Sequence, residues 1–155
     1  MNLESKQIKL TQTNFSIVEL LMEKWANELY INDTYFAGLN VAIEQFYQWA
    51  FSVCGAKCAD LAFETVAKSG LNVRWSFDNE MYRTLKSKFS SETFKEIDIV
   101  MSLVDRITFL DEISSVHFHF VLLNNFEKVY ASRASVLMAY YRKNHISYRI
   151  HHDTI

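Results

Sequence analysis

The chain has 155 residues, half of them apolar, with 18 acidic and 16 basic side chains for a formal charge of −2. That length fits one compact domain, and the charge balance lacks the basic footprint of a nucleic-acid binder. The opening MNLESKQIKL has no apolar core of signal-peptide length, and no later stretch approaches the roughly 18 uncharged apolar residues of a membrane span. The composition therefore reads as cytoplasmic, with protein or small-molecule partners and neither nucleic acid nor membrane.

Ile8 and Leu10 lie on one side of a first expected strand, Gln7 to Thr11. Ser16, with Glu19 three residues on, has the form of a capping box. It opens a helix whose Val18, Leu21, Met22, Trp25 and Leu29 make a core-facing stripe. The turn-like Asn32-Asp33-Thr34 precedes a second helix, from about Tyr35 or Phe36 to a C-terminal cap at Gly55. Cys54 and Cys58 are one residue too far apart for a redox CxxC and read as two reduced thiols.

Leu61 and Phe63 begin a strand and Ser69-Gly70 supplies a turn. Leu71, Val73, Trp75 and Phe77 then alternate with Asn72, Arg74, Ser76 and Asp78, as in a strand covered on one face. Asp78-Asn79-Glu80 reads as a polar turn. From near Glu92, the spacing of Phe94, Ile97, Val100, Met101 and Val104 predicts a helix. Ile107 and Phe109, then Val116, Phe118 and Phe120, predict a hairpin. A last helix runs from Asn124 or Asn125 to Lys143 with the stripe Phe126, Val129, Tyr130, Ala134, Leu137, Tyr140 and Tyr141. Such a stripe must be covered, by the sheet face carrying His117, His119, Val121 and Leu123, or by the same helix of a second subunit in a homodimer.

This order gives an α+β class: a two-layer sandwich with a mixed, mostly antiparallel sheet, helices on one face and an extra C-terminal helix. The helices starting near Ser16, Tyr35 and Glu92 should bury one sheet face, with Trp75 inside. Over Gln7 to Leu123 the order resembles the GHKL ATP-binding fold shared by gyrase, histidine kinases and the small anti-sigma-factor serine kinases of bacteria. The resemblance is sharpest in YFAGLNVAIEQFYQWAF, LNVRWSFDNEMY and FKEIDIVMSLVDRITF. On it, 1–123 is the ATPase-like domain and 124–155 its helical extension.

The resemblance assigns roles. Glu44 falls where the family has its catalytic base, and Gln48 stands for the asparagine that binds magnesium, one methylene longer. Asp78 falls where the family's aspartate binds adenine, but Glu80 and Tyr82 replace the glycines that let backbone approach the nucleotide. The expected phosphate loop, Lys86 to Glu96, has no glycine. Lys86 and Lys88 are its candidate anion ligands, whereas Glu92 and Glu96 would repel phosphate at a helix start.

The resemblance so altered implies a regulator with lost or weak ATP binding that acts on a protein, with a sigma factor or its antagonist as the implied partner. No cofactor is then expected. The alternative is a Mg-ATP-dependent serine kinase or ATPase using Glu44, Gln48 and Asp78. A third reading is a small-ligand sensor reusing the vacated pocket. His117 and His119, with His151-His152, would make a metal site only if they met.

Overall fold

The computed structural model describes residues 4–29, 33–66, 70–91, 95–121 and 126–143. Within them the chain order is β1 (Glu4–Lys9), α1 (Phe15–Leu29), α2 (Asp33–Cys54), β2 (Cys58–Val66), β3 (Gly70–Ser76) and α3 (Asn79–Ser91). There follow α4 (Lys95–Leu103), β4 (Arg106–Leu110), a 3-10 turn Asp111–Ile113, β5 (Ser115–Val121) and α5 (Phe126–Lys143). The class is α+β, as the periodicities predict.

The strands form one five-stranded sheet in the order β1-β2-β3-β5-β4. Every pairing is antiparallel, which corrects the expected mixed sheet. β3 and β4 do run in the same direction, as the register of both against β5 requires. β5 lies between them, so no parallel ladder forms.

Alternation along the strands divides the sheet into two faces. Leu61 and Phe63, then Leu71, Val73 and Trp75, then Val116, Phe118 and Phe120 are buried on one. The other carries Asp60, Glu64, Asn72, Arg74, His117, His119 and Arg106. The helical layer joins the buried face through ring pairs: Trp25 of α1 meets Phe63 at 5.6 Å, and Phe46 of α2 meets Trp75 at 5.0 Å and Phe118 at 4.9 Å. α2 is apolar around most of its circumference, with Ala37, Leu39, Val41, Ile43, Phe46, Tyr47, Trp49 and Ala50 all buried. A helix of that kind must be surrounded, and α1, α4 and α5 each lie against it.

α5 answers where the C-terminal stripe goes. It packs mainly on the helices α2 and α4 and not on the sheet strand that carries His117 and His119. Leu137 and Tyr141 are buried there, and Gln45 of α2 donates to the Tyr140 hydroxyl at 3.3 Å. The side chains of Phe126, Val129, Tyr130 and Ala134 lie outside the described residues.

Local chemistry moves several boundaries. β1 ends at Lys9; the Leu10 N–H still reaches the Lys57 carbonyl in register at 2.9 Å, and at Thr11 the N–H leaves the ladder for the Tyr47 hydroxyl at 3.0 Å. α1 starts at Phe15, so Ser16 sits inside the first turn and its hydroxyl donates to the Thr13 carbonyl at 3.1 Å instead of capping. α2 starts at Asp33, two residues before the expected Tyr35. Gly55, at φ 79°, closes α2 with its N–H on the Phe51 carbonyl at 2.7 Å, as a left-handed C-terminal cap does.

The largest departure is α3. Asp78-Asn79-Glu80 is no free turn, and the Lys86 end of the expected phosphate loop is no loop: Asn79–Ser91 is a regular helix. Met81, Tyr82 and Leu85 are buried, and Phe89 of α3 meets Phe109 at 5.0 Å and Trp49 at 6.1 Å.

Candidate functional site

The sequence-predicted residues are dispersed. Glu44 is half-buried on α2, where burial first and the Glu19 carboxylate second push its carboxyl above the ordinary range. The charge of Glu44 in turn adds to the burial that raises the Tyr140 phenol. Gln48, one turn on, is exposed and lines a cleft of about 550 Å³ with Gln12, Phe15, Tyr47, Phe51 and Ser52. Tyr47 fixes that wall by donating to the Thr11 carbonyl at 2.6 Å.

Asp78 has other work. Met81 N–H donates to its Oδ1 at 2.7 Å and Tyr82 N–H to its carbonyl at 2.9 Å, so Asp78 is the N-cap of α3. Its charge is felt by Cys54, whose thiol burial raises despite Lys57. Cys54 lies ten residues beyond Glu44, about 15 Å along the helix axis. Asp78 lines neither this cleft nor the one described next, and the structure does not bring Glu44, Gln48 and Asp78 together in either.

The second cleft, about 450 Å³, lies between α3 and the β4–β5 turn and is lined by Asn79, Tyr82, Arg83, Lys86, Asp111 and Ser114. Helical spacing puts the first four on one face of α3. The Tyr82 hydroxyl and the Lys86 ammonium both donate to Asp111 Oδ1, at 2.6 and 2.7 Å. These bonds, Lys86 first, hold the Asp111 carboxyl below its usual range. Burial, followed by the bond to Asp111 and its charge, pushes the Tyr82 phenol up, so it stays a neutral donor. Ser114, left-handed at φ 51°, ties the turn to α3 by donating from its hydroxyl to Asn79 Oδ1. Lys88 is exposed in the last turn of α3, where its charge complements the helix dipole.

Of this cleft the sequence reading singled out only Lys86 as an anion ligand. Asn79 and Arg83 are legible only through α3 itself, whose 79, 82, 83, 86 spacing marks one helical face, while Asp111 and Ser114, in the β4–β5 turn, carry no local signal that joins them to it. His117 and His119 stand on the open sheet face, His119 Nδ1 lying 2.7 Å from Asn72 Oδ1. His117 is held below the usual imidazole range by burial and by Arg74, with Glu64 opposing. No metal-ligating group of three His, Cys, Asp or Glu side chains occurs among the described residues, and His151 and His152 lie outside them. No family model and no curated protein matches the chain.

Two expected results separate structural from catalytic roles here. Asp78→Ala should cost about 1 kcal/mol in urea unfolding through the lost cap. For Glu44, burial and then the Glu19 carboxylate hold the carboxyl above its ordinary range in the folded chain, so the fold favours the protonated form. Its contribution is fully present below the unfolded pKa and is lost as pH rises through the folded one. Glu44→Gln should therefore raise the Tm at pH 7 and leave it unchanged once the pH falls below the unfolded value. A Tm lowered at pH 7 would refute this.

Proposed function

We propose that this protein is a regulator acting by binding another protein, on a scaffold resembling that of the anti-sigma-factor serine kinases, with its nucleotide positions given over to packing. The observation that carries this reading is α3. Asp78, at the adenine position of the resemblance, spends its carboxylate on the Met81 N–H. Tyr82, at a glycine position, is buried and hydrogen-bonded to Asp111. Lys86, the candidate phosphate ligand, is paired with the same aspartate. Phosphoryl transfer depends on nucleotide and metal held together, and these residues are committed elsewhere.

Exposed Leu20, Met101, Ile113 and Met138 offer apolar contact for a partner, which the resemblance makes a sigma factor or its antagonist. Among the described residues no helix is long and apolar enough to cross a membrane, which agrees with the cytoplasmic setting such a partner requires. A homodimer through α5 belongs to the same reading, and sedimentation of Met138→Glu beside the wild type tests it.

One observation favours the kinase or ATPase alternative: a half-buried carboxyl of raised pKa, as Glu44 has, suits a general base. Isothermal titration with Mg-ATP decides between them. Absence of binding heat at millimolar nucleotide is expected. Micromolar affinity abolished by Asp78→Ala would put the enzyme first, and affinity that survives it would point to a different nucleotide site.

A further inference from the structure

The cleft between α3 and the β4–β5 turn holds unused recognition chemistry. Among the described residues Arg83 uses only its Nε, which donates to the Asn79 carbonyl at 3.3 Å, so both η nitrogens are without a partner. Asp111 receives Tyr82 and Lys86 on Oδ1 alone, leaving Oδ2 without a hydrogen bond among the same residues. The cleft therefore offers a planar fork of N–H donors and, on its other wall, an ionised acceptor.

Charge narrows what fits. Arg83 and Lys86 against Asp111 leave one net positive charge, which suits a group of single negative charge. A phosphate dianion would over-neutralise it and face Asp111 with like charge. A guanidinium fork matches a carboxylate in two parallel hydrogen bonds. Asp111 Oδ2 asks for a donor on the same ligand. Both walls are fixed beforehand, by the Tyr82–Asp111–Lys86 bonds and by Ser114 on Asn79, so little ordering is left for binding to supply. The volume, about 450 Å³, falls in the range of small-molecule sites.

We infer that this cleft binds a small carboxylate bearing a hydrogen-bond donor on the adjacent carbon, an α-hydroxy or α-amino acid. The carboxylate pairs with the Arg83 guanidinium, and the neighbouring hydroxyl or ammonium donates to Asp111 Oδ2. The site shares Tyr82 and Lys86 with the nucleotide positions of the resemblance, but the groups that would hold the ligand, the Arg83 guanidinium and Asp111 Oδ2, are not among those positions.

The test is a ¹⁵N-HSQC titration of the full chain with acetate, L-lactate, L-alanine and inorganic phosphate at constant ionic strength. Lactate or alanine should give saturable shifts at Asn79, Arg83, Lys86, Asp111 and Ser114, about tenfold tighter than acetate, the worth of one good charge-assisted hydrogen bond. Which of the two binds tighter identifies the donor. Arg83→Gln should weaken binding about tenfold or more, Arg83→Lys should do so while keeping the charge, and Asp111→Asn should bring lactate and alanine down to acetate. Because Arg83 is exposed, dispersed spectra of its variants without ligand would show the fold intact. No saturation by about 10 mM lactate or alanine, where a millimolar site is mostly filled, overturns the inference. So does equal affinity for acetate, or tighter binding of phosphate.

Discussion

Phe46→Ala is expected to lower the unfolding free energy by about 3–5 kcal/mol, the usual cost of removing a fully enclosed aromatic side chain. Phe46 has no solvent exposure, and its ring meets Trp49 at 5.5 Å, Trp75 at 5.0 Å and Phe118 at 4.9 Å. Those partners come from α2, β3 and β5, so this one side chain joins the helical layer to the middle of the sheet. The rings around it are rigid and cannot collapse into the space it leaves, which places the cost at the high end for its chemistry. Against a total of about 5–15 kcal/mol for a domain of ordinary stability, that is a large share. Urea unfolding at 25 °C should show the midpoint fall with an unchanged m-value. The exposed Leu20→Ala on α1 should stay within about 0.5 kcal/mol. A cost for Phe46→Ala as small as that of Leu20→Ala would mean the layers are not joined there.

What the sequence made legible follows from which physical signals are local. The β3 alternation at Leu71, Val73 and Trp75, and the β5 alternation at Val116, Phe118 and Phe120, are period-two patterns set by one covered face, and the structure buries those residues. Gly55 marked the end of α2 because only a residue free to take positive φ closes a helix that way. The all-antiparallel pairing was not legible, because the insertion of β5 between β3 and β4 is a matter of strand order that no single strand's pattern carries.

α3 failed for a different reason. Met81, Leu85 and Phe89 recur at helical spacing after an N-capping aspartate, so the signal was present. The resemblance works against that signal, because it expects loops around a nucleotide at those residues. The cleft of Asn79, Arg83, Lys86, Asp111 and Ser114 went with it, since its walls meet only after α3 folds and the β4–β5 turn docks on it. Ile97, Val100 and Val104 are buried as their spacing predicts, whereas Met101 of the same expected stripe is exposed and Phe94 lies outside the described residues.

Tyr82→Gly restores the glycine that the resemblance expects, and it separates the two accounts of this segment most widely. If Tyr82 only plugs a nucleotide pocket, glycine should leave the fold intact and open the pocket to Mg-ATP. The structure leads to the opposite expectation. Tyr82 is 3% exposed, its ring lies 6.1 Å from Phe109 and its hydroxyl donates to Asp111. Losing a buried aromatic costs about 3–5 kcal/mol, and a glycine inside a helix about 1 kcal/mol more. Tyr82→Phe, which removes only the hydroxyl, should cost about 0.5–1.5 kcal/mol. Tyr82→Gly should therefore be close to unfolded at 37 °C, and millimolar Mg-ATP should not rescue it. A ligand present at a hundred times its dissociation constant would return about 2.7 kcal/mol, a gain that thermal unfolding of the glycine variant would show at once. Near-wild-type stability of Tyr82→Gly, joined to a Tm rise on adding Mg-ATP, would make Tyr82 the plug of a latent nucleotide site, and α3 would then be a lid.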